Sequence, residues 1–173
     1  MLPKLTFVLG GAASGKSVWA ENLLLSSDLR HNYLATSRIL DDETKARVDL
    51  HKSRRETGWT TFECDLDLGP TLTKLNCKDA VLVDCATMWL SNHLLDGNDL
   101  QMAQSQLLQS LDTCRAAVVI VSNEVGYGIV PDNALARQFR EAQGRLNIAL
   151  AAQADIALLV TAGLPTFLKG TLP

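Results

Sequence analysis

The chain has few cysteines, no long apolar run and no surplus of basic charge, and each shortage closes off a class of function. Its four cysteines, Cys64, Cys77, Cys85 and Cys114, include no C-x-x-C pair. Neither a zinc cluster nor a disulfide framework is therefore expected, and a reducing cytoplasm is the default setting. The longest apolar stretches, residues 80–83, 116–121 and 156–160, fall well short of the roughly 20 residues a membrane-spanning helix needs. Met1-Leu2-Pro3-Lys4 leads almost at once into a strand-like run, without the charged, apolar and small-residue order of an export leader. Lys and Arg number 16 against 19 Asp and Glu, a net charge of −3, which argues against a dedicated nucleic-acid binder. The Asn-Lys-x-Asp string by which GTPase switches read their base is also missing; Ser122-Asn123-Glu124 is the nearest approach.

What is present suits one core. With 47% hydrophobic residues in 173 positions, residues 1–173 read as a single domain. Five short, β-branched runs with little alternation, at 5–9, 32–36, 80–84, 117–121 and 156–160, are strands expected to be covered on both faces. Helical patterns separate them at 16–25, 41–56, 87–94, 100–115 and 133–154. The helix over 41–56 has acids at its start (Asp41, Asp42, Glu43) and bases towards its end (Lys52, Arg54, Arg55), matching the helix dipole. Strands alternating with helices predict an α/β domain of three layers with a mostly parallel central sheet.

Gly10-Gly11-Ala12-Ala13-Ser14-Gly15-Lys16-Ser17 satisfies G-x-x-x-x-G-K-[ST] between the first strand and the first helix. This is the P-loop of nucleoside triphosphatases. Its glycines let the backbone N–H groups turn inward onto phosphate oxygens, its lysine reaches the β- and γ-phosphates, and its hydroxyl ligates Mg²⁺. The helix that follows adds its positive end. Such a loop needs an acid at a neighbouring strand end to hold the metal, and Asp84 is the candidate, with a helix cap as its alternative reading. Glu124 closes another strand and serves substrate, metal or loop geometry equally well. On the 41–56 helix, Arg47, His51, Arg54 and Arg55 share one side. Surrounding guanidinium groups favour a neutral imidazole, the form required of a histidine nucleophile towards a nucleotide α-phosphate; a solvated basic face is the other explanation. His31 sits in a polar stretch and is expected to be exposed. His93 either faces substrate or packs.

These strings together resemble one family. The P-loop, Tyr33-Leu34-Ala35-Thr36-Ser37, Asp41-Asp42-Glu43 with Arg47 and His51, and Val83-Asp84-Cys85 belong to the resemblance. So does the block 121–131, Val-Ser-Asn-Glu-Val-Gly-Tyr-Gly-Ile-Val-Pro, with Asn133, Arg137, Arg140, Arg145 and Asn147 after it. The family is the bifunctional adenosylcobinamide kinase / adenosylcobinamide-phosphate guanylyltransferase of cobalamin biosynthesis. The resemblance implies a P-loop NTPase-type fold, a homotrimer, Mg²⁺, and ATP and GTP as substrates. It also implies two reactions: phosphorylation of adenosylcobinamide by ATP or GTP, then transfer of GMP from GTP through a guanylyl-histidine to give adenosylcobinamide-GDP and pyrophosphate. A kinase without the second activity is the alternative. By position, Gly10, Gly11, Ala12, Ala13, Ser14, Gly15, Lys16 and Ser17 hold the triphosphate, with Lys16 catalytic. Ala35, Thr36 and Ser37 line the nucleotide site. His51 is the nucleophile, with Lys52, Ser53, Arg54 and Arg55 beside the phosphates. Glu63 and Asp84 match acidic positions of the nucleotide site, and Ser17 and Asp84 are the metal ligands. The chain departs from the family pattern at Ala13, where an arginine is common, and at Leu50, where some members carry a second histidine next to the first. The apolar corrin ring points to the 125–130 loop and Trp89 as contacts.

Overall fold

The computed structural model describes residues 2–39 and 58–172. In chain order its elements are β1 (Leu5–Gly10), α1 (Lys16–Leu25), β2 (Arg30–Ala35), β3 (Trp59–Glu63), α2 (Gly69–Leu72), β4 (Asp79–Asp84), α3 (Ala86–Leu95), α4 (Leu100–Thr113), β5 (Ala117–Asn123), α5 (Ala134–Gln153), β6 (Ile156–Thr161) and β7 (Leu164–Lys169). Seven strands among these residues form one sheet in the order β3-β2-β4-β5-β1-β6-β7. All neighbours are parallel except β7, which returns antiparallel along β6.

The apolar runs become buried strands because each face of the sheet has its own core. Alternate residues of one strand serve opposite faces. Phe7, Val81, Val83, Val118 and Ile120 point to the side packed by Trp89, Leu90, Leu107, Leu111, Leu146 and Leu150, from α3, α4 and α5. Val8, Leu82, Val119, Val121 and Leu158 point to the other side, against Ala20 and Leu24 of α1. With both faces covered, β4 and β5 have no polar side to show, which is why their runs do not alternate. The architecture is a three-layer α/β domain with a mostly parallel sheet, as expected.

Two strands were not anticipated. The edge strand β3 reads Trp-Thr-Thr-Phe-Glu and β7 is exposed along its whole length. Pro165 sits comfortably in β7, since an edge strand can spare an N–H. The 16–25 helix is found at its expected bounds, the helix expected over 100–115 ends at Thr113, and that over 133–154 runs from Ala134 to Gln153 with Asn133 as its cap. The expected helix over 41–56 lies outside the described residues. His31 is corrected: it stands on β2, half-buried, with its ring 5.2 Å from that of Trp59.

β6 and β7 are joined by the two-residue turn Ala162-Gly163, with φ of 51° and 79°. Both central residues of a type I′ turn require positive φ, which suits the right-handed twist of the strands and favours Asn or Gly. Ala162 therefore holds a left-handed conformation that costs an L-alanine roughly 1–2 kcal/mol. Replacing Ala162 by Asn should stabilise the protein by about 0.5–1 kcal/mol. The expected rise in melting temperature is about 1–4 °C; a fall would show that the turn is held for another reason.

Candidate functional site

The site grows from the carboxyl ends of three adjacent strands, β4, β5 and β1. From β1 the chain turns over the sheet towards β2 on one side, while β5 connects past β1 to β6 on the other. Ligands of open α/β sheets bind where connections diverge in this way. Here that crevice is filled by the P-loop.

Two of its glycines are required by close approach. A side chain on Gly10 would lie 2.8 Å from the Val160 carbonyl and 2.4 Å from Ser14 Oγ. Gly15, at φ 91°, would place a Cβ 3.0 Å from Gly163 Cα. The loop is thus pressed against the β6–β7 turn, and the Gly163 N–H donates to the Ser14 carbonyl at 2.8 Å. Lys16 Nζ donates to the Gly11 carbonyl at 3.1 Å, curling the lysine over its own loop. Gly15 caps α1 with no side-chain hydrogen bond. By contrast, α3, α4 and α5 are capped by Cys85 Sγ, Asp99 and Asn133. Orphan N–H groups at a helix start are the natural acceptor site for a phosphate oxygen.

Asp84 ends β4. Its Oδ2 accepts from the Tyr33 hydroxyl at 3.0 Å, which fixes one carboxylate oxygen. The reading of Asp84 as a helix cap is overturned, because Cys85 occupies the cap position of α3. Beside it, the buried Thr36 ties β2 to β4: its Oγ1 donates to the Cys85 carbonyl at 2.8 Å and accepts from the Cys85 N–H at 2.7 Å. Thr36 therefore supports the floor, while Ala35 and Ser37 on either side are half-buried. Glu63 ends β3 in register with Ala35, at the exposed edge. Arg38, two residues beyond Thr36, holds Asp96 bidentately at 2.7 Å and Asp65 at 2.5 Å. These hydrogen bonds keep the Asp96 carboxyl below its usual range. His51, Lys52, Ser53, Arg54 and Arg55 lie outside the described residues.

The far wall is β5 and the loop after it. Glu124 donates its N–H to the Gly10 carbonyl at 3.1 Å, and its carboxylate accepts from the Gly126 N–H, so it shapes the loop. Arg140 donates to the Gly126 and Ile129 carbonyls, and Arg137 to those of Pro131 and Asp132. Pinned in this way, the loop presents Tyr127 and Ile129 almost fully, and Val130 largely, to solvent. Trp89 does not join them. It is 2% exposed, its Nε1 donating to the Leu66 carbonyl at 2.7 Å, and it packs in the core. His93 packs edge-on against Trp89, with Nε2 3.4 Å from the Leu66 carbonyl and Nδ1 3.1 Å from Asn98 Nδ2.

A buried polar cluster behind β5 was missed in the sequence. Ser122 Oγ donates to Asn147 Oδ1 at 2.7 Å, and Gln143 Nε2 donates to both at 2.9 Å. Gln143 and Asn147, four apart in α5, were the available signal, since neither belongs on an apolar helix face unless it is paired. Burial pushes the thiol of the neighbouring Cys85 up to about 11, with the Asp84 charge adding to the shift. At pH 8 about a thousandth of it is thiolate. Iodoacetamide at that pH should label the exposed Cys77 readily and leave Cys85 unlabelled until denaturant is added, as read by mass spectrometry; rapid labelling of Cys85 would show that the strand end opens.

Comparison with known proteins agrees with this geometry. The family described as cobinamide kinase / cobinamide phosphate guanyltransferase matches residues 6–168. A bifunctional adenosylcobalamin biosynthesis protein, CobU, of Salmonella typhimurium is 41% identical over 178 aligned residues, covering 94% of this chain and 98% of that protein. CobP of Pseudomonas aeruginosa, described in the same words, is 39% identical over 166 residues, covering 94% and 96%. Among solved structures, the RadB recombinase superposes with a TM-score of 0.53 at 19% identity, covering 91% of this chain and 74% of that one. A type III secretion ATPase gives 0.57 at 11% identity, covering 92% and 51%; these two share the fold alone. The P-loop at the switch point and a match from the first strand to the last make the chain a member of the cobinamide kinase / cobinamide phosphate guanyltransferase family.

Proposed function

We propose that this protein phosphorylates the aminopropanol hydroxyl of adenosylcobinamide with ATP or GTP and then converts the product to adenosylcobinamide-GDP with GTP. The observation that carries this reading is the P-loop braced at the sheet's switch point, in a chain that belongs to the family over nearly its whole length. In the first step Gly10–Ser17 backbone N–H groups hold the triphosphate and Lys16 swings from the Gly11 carbonyl to the β- and γ-phosphates. Ser17 and Asp84 would hold Mg²⁺. Hydroxyl and carboxylate oxygens form the hard donor set that this ion prefers, and Tyr33 orients the carboxylate. When bound, the ion neutralises charge building on the phosphate oxygens.

In the second step His51 attacks the α-phosphorus of GTP. A nitrogen–phosphorus bond forms, the α–β phosphoanhydride breaks and pyrophosphate leaves. A phosphate oxygen of adenosylcobinamide phosphate then displaces the histidine, giving adenosylcobinamide-GDP and restoring the enzyme. The pinned 125–130 loop, with Tyr127 and Ile129 outermost, offers an apolar surface for the corrin ring. A cytoplasmic homotrimer completes the proposal: its support is the family resemblance together with four free cysteines. Among the described residues no helix is long and apolar enough to cross a membrane.

The test is covalent labelling. Protein incubated with Mg²⁺ and GTP labelled at the α-phosphate, then denatured, should retain an acid-labile, alkali-stable label that His51→Ala abolishes. Label absent from a protein that still binds nucleotide and phosphorylates adenosylcobinamide would reduce the function to the kinase step.

A further inference from the structure

One residue between the P-loop and Asp84 has a buried side-chain oxygen with no hydrogen-bond partner among the described residues. Asn123 ends β5, in register with Gly10 of β1, and Asp84 of β4 pairs with Val121 two residues earlier. Its backbone is fully committed: the N–H donates to Thr87 Oγ1 at 2.7 Å and the carbonyl accepts from Asn147 Nδ2 at 3.2 Å. Strand alternation then decides where its side chain goes. Ser122 faces α5 through its bonds to Gln143 and Asn147, so Asn123 shares the opposite face with Val119 and Val121, the side on which α1 lies. Ala80 and Leu82 mark the same face of β4, which puts Asp84 on that side as well. Asn123 therefore stands between the P-loop strand and the Asp84 strand, on the face over which the loop folds.

Its Oδ1 is buried and finds no hydrogen-bond partner among the described residues. A buried acceptor left unmade costs about 1–3 kcal/mol, and in a native fold such an atom calls for an explanation, such as a bound ligand. The acceptor alcohol of a kinase, brought beside the terminal phosphate, carries a hydroxyl that can supply the missing donor. We infer that Asn123 is a catalytic residue of the phosphoryl-transfer step: Oδ1 accepts a hydrogen bond from the acceptor alcohol, and Nδ2 of the same amide donates to a γ-phosphate oxygen. The carboxamide thereby aligns nucleophile and electrophile. The alcohol oxygen bonds to the γ-phosphorus while the bond to the β–γ bridging oxygen breaks, and the nucleoside diphosphate leaves with that electron pair. The hydroxyl proton passes to a phosphate oxygen and on to solvent, since an amide is too weak a base to keep it. Thr87 and Asn147 are positioning residues, acting through the Asn123 backbone.

This inference rests on the P-loop reading above, and its test separates the two. Asn123→Leu removes both polar atoms at similar volume. Its kcat for adenosylcobinamide phosphorylation should fall about 10²–10³-fold, the loss typical of removing one preorganised polar contact to a transition state. KM for the nucleotide should stay within about twofold, and the melting temperature should hold or rise, because an unpaired buried acceptor has gone. Turnover within threefold of wild type, or a lower melting temperature with a matching loss of nucleotide affinity, overturns the inference. Asn123→Ala gives the same reading should the leucine variant fail to fold. Lys16→Ala is the companion: if it leaves phosphorylation intact the P-loop reading fails, whereas loss with Lys16→Ala but not with Asn123→Leu removes only the role of Asn123.

Discussion

A parallel sheet covered on both faces has one region where polar chemistry can be built, the carboxyl ends of its strands, and those ends must first be held still. Inside the sheet, ladder hydrogen bonds and apolar packing hold each strand. At the ends the ladder stops, and side chains take over. Thr36 binds both polar groups of Cys85, Asn92 Nδ2 donates to the Thr36 and Asp65 carbonyls, and Thr87 and Asn147 clamp Asn123. Small hydroxyls and amides suit this work because each satisfies a buried backbone group without adding charge. The positions of Asp84 and Asn123 follow from those few bonds.

The P-loop is braced from the opposite side. Its glycines admit the Val160 carbonyl and the β6–β7 turn so closely that no side chain fits, and Gly163 closes the contact with a hydrogen bond to Ser14. The antiparallel strand β7 buries little of itself, yet its turn is what the loop leans on. An exposed edge strand with a strained alanine at its tip is a poor choice for stability and a sensible one for shape. The helix after the loop shows the same preference, as it starts without a side-chain cap while α3, α4 and α5 each have one.

The fold was legible wherever burial was two-sided. Residues 80–84 and 117–121 announce themselves because nothing polar can sit on either face. The edge strands lack that signature: Thr60, Thr61 and Glu63 of β3 are exposed, and all of β7 is, so their apolar content is no guide. The P-loop was legible because its chemistry demands particular residues at fixed spacing. Single residues were not. His31 and Trp89 were read from their sequence neighbours, whereas Trp59 and Leu66, distant in sequence, decide their surroundings. Asn123 stood in a recognisable block, but its isolation depends on Thr87 and Asn147, contributed by helices on either side of it in sequence.

Two polar features at the same edge are therefore unsatisfied for the same physical reason. Among the described residues, the first turn of α1 lacks a side-chain cap for its N–H groups, and Asn123 Oδ1 lacks a donor. A leucine at the end of β5 would remove the second, and local rules of stability favour it, whereas the first is built in, because Gly15 at φ 91° has no room for a capping side chain. Side chains cap α3, α4 and α5, and the unmade bonds around this crevice suit something with the opposite polarity: phosphate oxygens for the N–H groups and a hydroxyl for the amide. A triphosphate beside an alcohol supplies both. The core on the two faces of the sheet is what lets the fold carry these costs at one edge without losing its shape.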